Sequence, residues 1–81
     1  MKELVIHVGP FVFKSEVIIK DNDLGTYETV KVPQRDLASF ISSQKDITKV
    51  HLYGNDKVVR KIEEDCLTKF NVKNVAFSIN K

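Results

Sequence analysis

Eighty-one residues allow one hydrophobic core and leave no room for a second. Hydrophobic residues at 42% and charged residues at 30% are a globular balance and argue against disorder. Thirteen Lys and Arg against eleven Asp and Glu leave a formal net charge of +2, so bulk electrostatics alone does not drive nucleic-acid binding.

Leu4 to Val8 is a short run rich in β-branched residues, the pattern of a buried first strand. Glu3 and His7 interrupt the apolar opening, which has neither the uninterrupted core nor the cleavage site of a secretory signal. No stretch reaches the roughly 18 apolar residues of a membrane span. The cytoplasm is the expected location, with no membrane partner.

Gly9-Pro10 breaks the first strand, and Phe11 to Lys20 then alternates. Phe13, Ser15, Val17 and Ile19 fall on one side, with Val12, Lys14, Glu16, Ile18 and Lys20 on the other, as in a half-buried strand. Asp21-Asn22-Asp23-Leu24-Gly25 predicts a tight turn. A calcium loop counted from Asp21 would need Gly and an acid where Thr26 and Val32 stand. Tyr27 to Val32 resumes strand chemistry and closes a predicted antiparallel meander.

Pro33 ends that strand, and Leu37, Phe40 and Ile41 recur at helical spacing over 35–44. Ile47 to Tyr53 predicts a fourth strand. Asn55 or Asp56 offers an N-cap for a second helix over 56–70. Val59, Ile62, Cys66 and Phe70 form its apolar stripe, broadened by Val58 and Leu67. Cys66 is the only cysteine; it forms no internal disulfide and no zinc cluster, and on this stripe it reads as a small buried hydrophobe. Absence of disulfide staples favours a reducing compartment. Val72 to Ile79 predicts the fifth strand, and it echoes Ile47 to Leu52 so that Val50 corresponds to Val75 and Leu52 to Phe77.

The order β-β-β-α-β-α-β predicts an α/β domain (an α+β mixed sheet) of five strands. Right-handed crossovers give the spatial order 3-2-1-4-5, with both helices on one face. This topology resembles the core of the ribonuclease H-like fold shared by actin-like ATPases, transposases and Holliday-junction resolvases. The resemblance implies an acidic residue in the middle of the first strand to hold a divalent metal, but Val5-Ile6-His7-Val8-Gly9 contains none. His7-Val8-Gly9 also stands where a nucleotide-binding relative would show Asp-x-Gly. Two-metal chemistry needs several converging carboxylates, so no metal, cofactor or catalytic constellation is expected.

The predicted core face holds Leu4, Ile6, Val8, Val17, Ile19, Val30, Val32, Val50, Leu52, Val75 and Phe77. The opposite, helix-free face collects Val5, His7, Val12, Lys14, Ile18, Tyr27, Lys31, Lys49, His51 and Tyr53, with His7 expected near His51. Its apolar area predicts an interface, in the first instance a homodimer and otherwise a complex with another protein. Two other functions compete. Lys14, Lys31 and Lys49 beside Tyr27 and Tyr53 suit single-stranded nucleic acid. Gly54, Asn55, Lys57, Arg60 and Lys61 at the start of the second helix suit a phosphate, a nucleotide or a nucleic-acid backbone. Opposing the anion reading, Asp56 lies in the first turn and the pairs Arg60–Glu64 and Lys61–Asp65 are expected. Chains of this size and make-up are common among bacterial and phage accessory proteins.

Overall fold

Leu4, Ile6 and Val8 alternate with Glu3, Val5 and His7, and this period of two builds the central strand of the sheet. The computed structural model describes residues 1–8 and 14–80. In chain order it has strands β1 (Lys2–Val8), β2 (Lys14–Asp21) and β3 (Thr26–Pro33), a single 3-10 turn (Gln34–Asp36), helix α1 (Leu37–Ser43), strand β4 (Ile47–Gly54), helix α2 (Asp56–Thr68) and strand β5 (Ala76–Asn80). The five strands form one mixed sheet in the order β3-β2-β1-β4-β5, as the element order predicts. β1 and β2 pair antiparallel, as do β2 and β3, whereas β4 runs parallel to both β1 and β5.

The β2–β3 turn closes on its own side chain. Asp21 Oδ1 accepts from the backbone N–H of Asp23 and of Leu24 at 3.0 and 3.1 Å. Gly25 takes the left-handed conformation, with φ of 68°.

A register shift between Lys2 and Glu3 pairs Lys2 with Ile47 but Glu3 with Lys49. Ile47 and Val50 have opposite parity, yet both are buried. The bulge reconciles them, because one extra residue on β4 restores the alternation. At the far end of the same pair, Gly54 has φ of 145° and lies against the Val8 carbonyl. A Cβ there would collide with that oxygen, so only glycine lets β4 turn into α2 this close to β1.

Leu4, Ile6, Val8, Val17, Val32, Val50 and Leu52 are buried on one face of the sheet. They form one cluster with Leu37, Ala38 and Ile41 of α1 and Val59, Ile62 and Cys66 of α2. Both helices therefore cover the same side. Burial of each large aliphatic side chain contributes about 1.5–3 kcal/mol. Among the described residues Ser15 is the one fully buried polar side chain of the core face, and its hydroxyl has no hydrogen-bond partner there.

α1 is shorter than the 35–44 expected. Its hydroxyls fold back on the helix: Ser39, Ser42 and Ser43 donate to the carbonyls of Asp36, Ser39 and Phe40 at 2.7–2.9 Å. Such local bonds compete with helix extension.

α2 ends at Thr68, before Phe70. Asn71 then enters the left-handed region at φ 52°, and the Val72 N–H bonds the Cys66 carbonyl at 2.9 Å, which turns the chain away from the helix axis. Phe70, expected to extend the buried stripe, is accordingly 42% exposed, and Leu67, still within α2 but a step of about 100° round from Cys66, is 48% exposed. Asn74, also left-handed at φ 63°, delays β5 to Ala76. In the sheet Val50 pairs with Phe77 and Leu52 with Ile79, while Val75 packs on the core from the loop.

Candidate functional site

Strand register lays out the helix-free face in three cross-strand rows. The middle row reads Thr29, Ile18, Val5, His51, Ser78. On one side of it lie Lys31, Glu16, His7, Tyr53 and Asn80, and on the other Tyr27, Lys20, Glu3, Lys49 and Ala76. Val5, Ile18, His51 and Tyr53 are half-buried by their neighbours, and His7, Tyr27, Lys31 and Lys49 are exposed. Lys14 has the parity of Glu16 and Ile18 and pairs with Pro33, but at the start of β2 it borders the cleft beside α2, so the structure places this expected sheet-face cation at the helix side instead. Val12, expected on this face, lies outside the described residues.

The two histidines lie on adjacent strands one diagonal step apart, and each engages a different side chain. Parallel register sets His7 opposite Tyr53 and His51 opposite Val5. The His7 and Tyr53 rings stack with centroids 5.0 Å apart and planes 18° from parallel. His51 Nε2 instead donates to Glu3 Oε1 at 2.9 Å, and Asn22 Nδ2 donates to the other Glu3 oxygen at 2.8 Å. These two hydrogen bonds, His51 first, hold the Glu3 carboxyl below its usual range. Lys20 Nζ sits 5.8 Å from the Tyr27 ring centroid, a cation–π contact.

Glu3, Glu16 and Lys20 also belong to this face, although the sequence reading did not count them among its candidates. Their signal is plain alternation with the core-face residues Leu4, Val17 and Ile19. They convert a lysine-and-tyrosine surface into one that mixes both charge signs around a small apolar centre.

The start of α2 is chemically occupied. Asn55 caps the helix, its Oδ1 accepting from the N–H of Lys57 and Val58 at 3.0 and 3.4 Å. Donors that would face an anion are thus spent on the cap. Arg60 turns back to Asp56 at 3.0 Å rather than forward to Glu64 as expected. An acid four residues ahead of a base suits the helix dipole better than the reverse order. Lys61 pairs with Asp65 at 2.7 Å, and Lys69 reaches the same carboxylate at 3.7 Å. Lys57 makes no ion pair among the described residues.

A cleft of about 880 Å³ opens between the end of β3 and the first half of α2. Pro33, Ala38, Val58 and Ile62 give it an apolar floor, and Lys14, Arg35, Lys57 and Lys61 surround it. No sequence pattern marks it, because its walls come from separated parts of the chain that only the strand order brings together.

Cys66 lies buried beneath α2 with Sγ 3.9 Å from the Ala38 carbonyl. Burial pushes its thiol up to about 11, so the nucleophilic thiolate is scarce at neutral pH. Among the described residues no three His, Cys, Asp or Glu side chains gather in a way that could hold a metal ion, and no helix is long and apolar enough to cross a membrane. No family model, curated protein or solved structure matches the chain.

Proposed function

We propose that the chain is a non-catalytic interaction module that binds a protein partner through its helix-free sheet face, in the simplest case a second copy of itself in the cytoplasm. The observation that supports this is the charge pattern of that face. Glu16 stands between Lys31 and His7, and Glu3 between Lys20 and Lys49, on either side of the apolar pair Val5 and Ile18. A surface carrying both signs around an apolar centre is complementary to another of the same kind, as a two-fold dimer requires.

The same pattern disfavours single-stranded nucleic acid, because a phosphate backbone tracking the lysines would run across Glu3 and Glu16. Stacking also loses its platform: Tyr53 is engaged by His7, and Tyr27 stands apart on the edge strand.

Sedimentation at increasing protein concentration tests the proposal. A monomer–dimer equilibrium near micromolar concentration is expected, and Tyr53→Glu shifts it toward monomer by placing a charge in the contact. A monomeric mass at every concentration removes the homodimer, and a salt-sensitive mobility shift of an oligonucleotide, abolished by Lys49→Ala with Tyr53→Ala, replaces it with the nucleic-acid reading.

A further inference from the structure

We infer that the cleft between the β3–α1 junction and α2 is a second, separate docking site, for an acidic amphipathic segment of a partner protein. Four cationic side chains line it, Lys14, Arg35, Lys57 and Lys61, against one carboxylate, Asp65. That local excess of three positive charges exceeds the net +2 of the whole chain. Asp65 is already engaged by Lys61 and Lys69, and Lys14, Arg35 and Lys57 have no ion pair among the described residues.

The cations stand on both banks. Lys14 and Arg35 come from the sheet side, and Lys57 and Lys61 lie one turn apart on α2. Between them Val58 packs against the core yet remains half-exposed, while its neighbours Val59 and Ile62 are buried, so the exposed part of Val58 offers apolar contact to a partner.

Three alternatives fit less well. A lone phosphate would sit at the α2 N-terminus, where Asn55 has taken the donors and Asp56 supplies a negative charge. Nucleic acid draws its affinity from phosphate contacts and base stacking, neither of which would use the aliphatic floor of Pro33, Ala38, Val58 and Ile62. A membrane meets convex basic surfaces or inserted apolar helices, whereas this site is concave. An amphipathic helix with apolar anchors and flanking carboxylates matches floor and banks together, the helix-in-groove mode of recognition.

Fluorescence anisotropy tests the site with a labelled helical peptide carrying Leu at i, i+3, i+4 and i+7 and Glu elsewhere, beside a twin in which Lys replaces every Glu. The Glu peptide is expected to bind and the Lys twin not. Arg35→Glu with Lys57→Glu should weaken binding about tenfold or more, and Arg35→Gln with Lys57→Gln by a smaller factor, in case the double reversal disturbs folding. Val58→Asp should weaken it too, and amide signals of Ala38 and Ile62 should move on addition of peptide. Tyr53→Glu should leave binding unchanged, which separates this site from the sheet face. Equal binding of both peptides, absence of binding, or displacement by inorganic phosphate, an oligonucleotide or phosphatidylserine vesicles at matched charge overturns the inference.

Discussion

Glu3 and His51 are joined across the central strand pair, the imidazole Nε2 donating to the carboxylate at 2.9 Å, although register places Lys49 rather than His51 directly opposite Glu3. The same carboxylate takes Asn22 from the β2–β3 turn, so one side chain links β4, β1 and the hairpin end. Its pKa is lowered from an ordinary value of 4.5. Folding therefore gains from the ionised form above that unfolded value, and the gain is lost as pH falls through the lower folded value. Thermal melts between about pH 3 and 7 should show a flatter acid limb for Glu3→Gln than for the parent chain. Parallel pH profiles would show that these hydrogen bonds contribute nothing to stability.

Two glycines with positive φ should respond very differently to alanine. At Gly54 the added methyl group meets the Val8 carbonyl, and at Gly25 it meets open space. Gly25→Ala should cost about 1 kcal/mol for the left-handed backbone alone. Gly54→Ala should cost about 3 kcal/mol or more, because strand and helix must move as well. Urea denaturation of both variants measures the gap, and equal midpoints would contradict the tight β1–β4 crossing.

Ser15 offers a stabilising substitution. Its hydroxyl is fully buried without a partner among the described residues, an arrangement that costs about 1–3 kcal/mol. Ser15→Ala should leave stability unchanged or raise it by about 1 kcal/mol. A marked loss would reveal a hydrogen bond to that hydroxyl in solution.

Cys66 should resist alkylation while the chain is folded. With its thiol buried and raised to about 11, labelling by iodoacetamide should become rapid only in denaturant. Rapid labelling in native buffer would mean that α2 opens locally far more often than the rest of the core.

Strand order was legible because apolar core residues recur at every second position, Leu4, Ile6 and Val8 in β1 and Val50 and Leu52 in β4, and because two helix-to-strand units follow the meander. Local turning at Asn71 and Asn74 was not, since asparagine in the left-handed region leaves no hydrophobic trace. It removed Phe70 from the core and pushed β5 four residues beyond Val72. On the sheet face, Val5, His7, Ile18, Lys49, His51 and Tyr53 lie together as alternation dictates. The partner of each histidine depended on inter-strand register, which a single strand does not encode. The cleft was hidden for a related reason: Lys14, Arg35 and Lys57 become neighbours only after β2, β3 and α2 have been placed.

β1 is made first yet occupies the middle of the sheet, flanked by β2 and by a β4 that begins at Ile47. At about 5–20 residues per second on the ribosome, roughly 40 further residues take some seconds to appear. During that interval Lys2–Val8 has only its hairpin neighbour, and its other edge, with Leu4 and Ile6, is open to any extended chain nearby. Translational pausing shortly before Ile47 would prolong that exposure, so aggregation of nascent chains should depend on where synthesis slows rather than on the stability of the finished protein.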